Sequence, residues 1–174
     1  MTTIERLWVV LGLFVAGCLV FANGAFAQPA APALEVTAGY AGFVDDATVS
    51  HALVGGLARW PVTPRVSIGP EVTYMRGPGS DRDLFVTGNV AWDLVSRSAQ
   101  RPGLVVPYVL GGAGFFRHSD RFGPLTFASN EGTFTAGGGA RVWVTQRVYI
   151  GGEARFGWEL HTRVAGTVGV QLGG

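Results

Sequence analysis

Eight charged residues stand out because each falls on the non-apolar side of an alternating segment: Glu35, Glu71, Asp93 and Glu153, and Arg59, Arg141, Arg155 and Arg163. Four acids balance four guanidinium groups, so the chemistry they suit is mutual ion pairing, which buried charges need to escape a penalty of several kcal/mol each. A second set, His118, Ser119 and Glu131, contains the base, nucleophile and acid of a hydrolase. His118 and Ser119 are adjacent, however, and in an extended strand their side chains point to opposite faces, whereas a His-activated Ser needs direct contact. No catalytic residue is therefore assigned. His51 and His161 do not repeat with other ligand types at metal spacing, and no phosphate loop or dinucleotide fingerprint opens a helix, so neither a metal site nor a cofactor is expected.

The elements that must position the eight charges are strands. Beyond Ala33 no stretch keeps a 3.6-residue period for three turns, whereas alternation with period two recurs about every 18 residues. Strands are expected at 34–44, 49–60, 66–75, 84–95, 104–116, 132–144, 148–158 and 163–172. Breakers separate them, including Asp45-Asp46, Gly77-Pro78-Gly79-Ser80-Asp81, Thr145-Gln146-Arg147 and a long loop at 118–130. Each strand is near the length of about 9 to 11 residues that a tilted membrane strand requires.

Parity then decides which face is apolar. In 148–158, Val148, Ile150, Ala154, Phe156 and Trp158 share one side, and Tyr149, Glu153 and Arg155 the other. In 84–95, Leu84, Val86, Val90, Trp92 and Leu94 oppose Thr87, Asn89 and Asp93, and in 163–172, Val164, Val168, Val170 and Leu172 oppose Arg163, Thr167 and Gln171. The apolar faces carry no mid-strand charge. A soluble sandwich would show many more exposed charges, yet charged residues are only 14% of the chain, against about a quarter in ordinary soluble domains. The pattern predicts an all-β, eight-stranded antiparallel up-and-down transmembrane β-barrel with a charged lumen and a lipid-facing exterior. Trp143 falls in phase with Arg141, toward the lumen, while Pro107 and the Gly111-Gly112-Ala113-Gly114 run leave the register of the fifth strand unassigned. Aromatic belts are expected at Trp60, Tyr108 and Tyr149 on one rim and at Tyr74, Phe115, Phe134 and Trp158 on the other.

The first 27 residues read as a cleaved secretory signal: a basic start, an apolar core over 7–22 and Ala25-Phe26-Ala27 before Gln28. Its apolar run falls short of the roughly 20 residues of a helical span. Cys18, the single cysteine, lies in Val15-Ala16-Gly17-Cys18, which resembles a lipobox, but the apolar core continues past it where a lipoprotein would carry a polar tether. Residues 28–33 form an extended lead-in, and 34–174 the barrel. The 27 glycines follow no three-residue period, which excludes collagen; an apolar fraction of 48% excludes disorder; and scattered arginines with a net charge of +1 exclude a nucleic-acid stripe.

Pro107-Tyr108 opening a Gly-rich strand, Gly138-Gly139-Ala140-Arg141, and Tyr149-Ile150-Gly151-Gly152-Glu153-Ala154-Arg155-Phe156-Gly157, set in a frame of eight alternating strands, resemble the small OmpA/OmpX-type outer-membrane β-barrels of Gram-negative bacteria. The resemblance spans the whole mature chain and implies architecture more than activity. Family members commonly finish on an aromatic residue that helps the insertion machinery, and this chain departs from that pattern with Leu172-Gly173-Gly174. The resemblance implies outer-membrane residence after Sec-type export, contact with outer-membrane lipids and lipopolysaccharide, transient engagement of the barrel-assembly machinery, and a monomer. It also sets 45–48, 76–83, 117–130 and 159–162 outside the cell. Arg117, His118, Arg121, Phe122 and Phe127 are then candidate contacts for lipopolysaccharide phosphates or a protein partner. Eight strands enclose room only for side chains, so a general porin is disfavoured. The expected role is a non-enzymatic envelope scaffold or surface-interaction protein. The alternatives are a secreted lipocalin-like binder, which needs an apolar pocket, and a hydrolase similar to the eight-stranded lipid A deacylases, whose motif separates His and Ser by one residue.

Overall fold

A computed structural model of the protein describes residues 31–44, 48–95, 101–122, 125–158 and 161–172. The signal segment 1–27, Cys18 and the first part of the lead-in lie outside the described residues, as do the side chains of Arg121 and Phe122. Eight strands follow one another: β1 (Ala33–Val44), β2 (Thr48–Pro61), β3 (Val66–Arg76), β4 (Arg82–Asp93), β5 (Val105–Phe122), β6 (Leu125–Trp143), β7 (Val148–Gly157) and β8 (His161–Gln171). Each pairs antiparallel with the next, and β1 pairs with β8 to close the barrel. Closure leaves no free edge whose N–H and C=O groups would need another partner.

Alternation along the strands sets the two surfaces. In β8 burial changes at every residue: His161, Arg163, Ala165, Thr167 and Gln171 point in, and Val164, Val168 and Val170 point out. In β4, Asp83, Phe85, Thr87, Asn89, Ala91 and Asp93 point in, opposite Leu84, Val86, Val90 and Trp92. The outer wall is thus almost continuously apolar, with Tyr40 exposed at 71% and Val164 at 65%. The fifth strand, unassigned from sequence, turns Val106, Tyr108, Leu110 and Phe116 inward and Val105, Val109 and Phe115 outward. Trp143 points inward, as its phase with Arg141 predicts.

Inward glycines let so small a barrel bend. A Cβ on Gly69 would stand 1.6 Å from the Ala58 carbonyl oxygen, and one on Gly137 would stand 2.1 Å from that of Ala154. Neighbouring backbones approach there to a distance that no side chain tolerates. The pinch at Gly69 adjoins Pro70, which has no N–H to give the ladder. The β2–β3 register runs from Leu57↔Glu71 to Trp60↔Ile68 with no bridge at the two residues between.

Two expectations are corrected. The expected loop at 118–130 is mostly strand, because β5 and β6 continue pairing from Phe116↔Glu131 up to Phe122↔Leu125 as a hairpin that rises past the barrel wall. Beyond the wall neither face of the ribbon is buried, so its residues carry no apolar alternation, while main-chain hydrogen bonds still hold it. Tyr108 and Tyr149 do not join the rim belt: each is 2% exposed and lies inside. Trp60 remains outside at that end together with Trp92, and Tyr74, Phe115, Phe134 and Trp158 are exposed at the other, where the Phe134 and Trp158 rings lie 6.0 Å apart.

Candidate functional site

The structure places Glu35, Arg59, Glu71, Asp93, Arg141, Glu153, Arg155 and Arg163 all inside the barrel, each less than 5% exposed. They sort into two groups. At the end where β1 begins, Arg59 clasps Glu35 with two parallel bonds, Nε to Oε1 at 2.7 Å and Nη2 to Oε2 at 3.0 Å, the fork geometry that guanidinium and carboxylate share. Tyr149 donates its hydroxyl to the same carboxylate, and Arg59 also reaches Ser67. Arg141 pairs with Asp93 at 3.2 Å and stacks over the Tyr108 ring at 4.0 Å.

Deeper along the axis, Arg155 and Arg163 alternate with Glu71 and Glu153. Arg155 binds Glu71 at 2.7 Å and Glu153 at 2.7 Å, and Arg163 binds the same two carboxylates. Asn89 and Thr73 donate to Glu71, completing its shell. Tyr108 joins the groups, donating to Glu153 at 3.0 Å while its ring carries Arg141. Each group holds two acids and two arginines, so each is neutral. Apolar layers cap both ends: Ala33, Val106, Trp143 and Tyr149 below, and Ala41, Leu53, Met75, Phe85 and Phe116 above. What the arrangement does chemically is neutralise its own charges and fill the lumen.

Above the upper apolar layer lies a cluster that the sequence reading did not assemble. His51 of β2, Asp81 of the β3–β4 turn and Asp83 of β4 converge, with His51 Nε2 2.7 Å from Asp81 Oδ2 and 3.3 Å from Asp83 Oδ2. His118 of β5 approaches from the other side, its Nδ1 2.8 Å from Asp83 Oδ1. The turn is built for this: Gly79 takes a φ of 68°, a left-handed conformation suited to glycine, and Gly77 N–H donates to Asp81 O at 3.1 Å. Burial pulls the His118 imidazole down, but its bond to Asp83 and the charges of Asp83, Asp81 and Asp120 outweigh that and hold it above the ordinary histidine range. Against the expectation of no metal-ligand grouping at His51, the histidine and both aspartates face one another. Thirty residues of sequence separate His51 from Asp81, and only the strand register brings them together.

Of the expected surface contacts, Arg117 and Phe127 are exposed, and His118 is half-buried against Asp83. His118 thus engages an aspartate, while Ser119 follows it on the opposite face and Glu131 is exposed on β6. Arg76, Arg82 and Arg117, on three successive strands, share the outer face just above Tyr74 and Phe115, with Arg76 directly opposite Arg82.

No protein-family model matches the chain, and no curated protein matches it. Solved structures do. Neisserial surface protein A superposes with a TM-score of 0.71 at 13% identity, over 81% of this chain and 97% of that one. The fold is that of the small outer-membrane barrels. The N-terminal β-barrel domain of Pseudomonas aeruginosa OprF matches with a TM-score of 0.61 at 12% identity, over 80% of this chain and 97% of that one. Ail, the attachment invasion locus protein of Yersinia pestis, matches with a TM-score of 0.57 at 11% identity, over 83% and 98%.

Proposed function

We propose that the protein is a non-enzymatic bacterial outer-membrane barrel, exported by the signal at 1–27. In this reading it acts as a monomeric envelope scaffold that presents the raised β5–β6 hairpin at the cell surface. One observation carries this reading: the wall is apolar outside and the charges are paired inside, the reverse of a water-soluble barrel. An exposed apolar surface of this extent has no stable home in water. The lumen, filled among the described residues by the ion network and capped by apolar layers, supports a scaffold over a pore or a lipocalin-like binder. Arg76, Arg82 and Arg117, facing outward directly above the aromatic residues, are placed to meet the phosphates of lipopolysaccharide, which resides at that level of the outer leaflet.

The test is fractionation. The mature chain is expected in outer-membrane extracts with heat-modifiable migration on gels, and to need detergent for solubility. Recovery as a monodisperse protein in detergent-free periplasm would overturn the reading, as would altered lipid A in cells overexpressing it.

A further inference from the structure

We propose that His51, Asp81 and Asp83 form a divalent transition-metal site of the zinc class in the mouth of the barrel, with His118 as its positioning residue. The reasoning begins at His51, which is 3% exposed. Its Nδ1 meets the Val49 carbonyl oxygen at 3.3 Å, a contact in which the ring nitrogen donates. Nε2 points at two carboxylate oxygens, Asp81 Oδ2 and Asp83 Oδ2, which it meets as an N–H donor or, with a metal ion between them, as a fellow ligand. Two carboxylate oxygens facing one ring nitrogen concentrate negative charge at this point, and a bound cation offsets it. A histidine whose far nitrogen donates to a main-chain carbonyl, leaving Nε2 for the ion, is the usual way in which proteins fix a metal-binding imidazole.

The geometry fits. The three ligand atoms lie within 4.8 Å of one another. Ligands at about 2.0 to 2.1 Å from a tetrahedral ion are separated by roughly 3.3 to 3.4 Å. The Nε2 to Asp83 Oδ2 distance of 3.3 Å already has that value, while the 2.7 Å to Asp81 Oδ2 must open by about 0.6 Å. Asp81 can supply the movement, because it sits in a turn with its side chain 18% exposed. Three further observations point to a ligand. Asp81 Oδ1 makes no hydrogen bond and has His118 Nδ1 beside it only at 3.5 Å. Gly77 keeps the approach clear: a Cβ there would lie 2.5 Å from both Asp81 Oδ2 and His51 Nε2. His118 holds the far oxygen of Asp83 at 2.8 Å, as the carboxylates that ligate metals are themselves commonly held by hydrogen bonds. Three protein ligands leave a fourth position of a tetrahedral ion for water. One imidazole with two carboxylates suits zinc, and the nitrogen ligand disfavours calcium and magnesium, which take oxygen.

The test is calorimetric titration of the untagged mature chain, folded in detergent, with Zn²⁺, and with Co²⁺ as a spectroscopic stand-in. One equivalent is expected to bind at micromolar metal, with the visible absorption of four-coordinate cobalt. Asp81→Asn changes only a turn residue and is expected to weaken binding at least tenfold while leaving heat-modifiability unchanged. His118→Gln is expected to weaken it by about 10- to 100-fold, as loss of an outer-shell partner does elsewhere. No zinc binding, equal binding by Ca²⁺, or undiminished binding by a folded Asp81→Asn chain would overturn the proposal.

Discussion

Glu71 offers the sharpest test of how the interior is held together. It accepts from Arg155 Nη1 at 2.7 Å, from Arg163 Nη2, from Asn89 Nδ2 at 3.0 Å and from Thr73 Oγ1 at 3.0 Å, and it is 1% exposed. Replacing it in Glu71→Gln leaves two guanidinium groups with Glu153 as their shared carboxylate, so a neutral cluster acquires one uncompensated buried charge. Breaking a buried pair from one side costs about 3 to 5 kcal/mol, which lowers the folding equilibrium constant by roughly 10² to 10⁴. Equilibrium urea unfolding in phospholipid vesicles, followed by tryptophan fluorescence, reads this directly. The double replacement Glu71→Gln with Arg163→Met restores neutrality and is expected to recover at least half of the loss. A single-variant loss below about 1 kcal/mol, or a double-variant loss equal to the sum of the two singles, would refute charge pairing as the source of stability.

Further outcomes follow from other parts of the wall. Val168→Arg, at mid-strand on the outer face of β8, is expected to cost about 2 to 4 kcal/mol in lipid vesicles by the same unfolding measurement. Gly69→Ala forces a methyl group into the Ala58 carbonyl and is expected to lower the folded, heat-modifiable fraction sharply; normal folding yield would contradict the close approach. Phe127→Cys, on the raised hairpin, is expected to react with a membrane-impermeant maleimide in intact cells, and protection there would contradict the proposed orientation. Replacing Arg76, Arg82 and Arg117 by Ala is expected to reduce lipopolysaccharide co-purifying with the barrel, with stability unchanged.

Much of the architecture was legible because period-two alternation survives wherever both faces of a strand have distinct surroundings. Val164, Val168 and Val170 against Arg163, Thr167 and Gln171 left no doubt about the parity of β8. The hairpin above the wall was not legible for the complementary reason: with solvent on both sides, residues 118–130 had no reason to alternate and read as a loop. Tyr108 and Tyr149 were assigned to a belt by residue type; for Tyr149 the phase with Glu153 already pointed inside, and parity prevails, whereas Tyr108 stands in the strand whose register the sequence left open. The mouth cluster lay beyond reach, since the contact of His51 with Asp81 and Asp83 depends on how β2, β3 and β4 are staggered.

The ion network also favours an order of events. Glu35 receives Tyr149 from 114 residues away, and Glu71 receives Arg163 from 92. The β1–β2 hairpin carries its own pair in Glu35 and Arg59, but Glu71 of β3 and Asp93 of β4 find their arginines only on β6, β7 and β8. The β3–β4 hairpin, entering the bilayer alone, would carry two unanswered acids into hydrocarbon. A sheet that curls far enough to bring β6, β7 and β8 across before it enters avoids that cost.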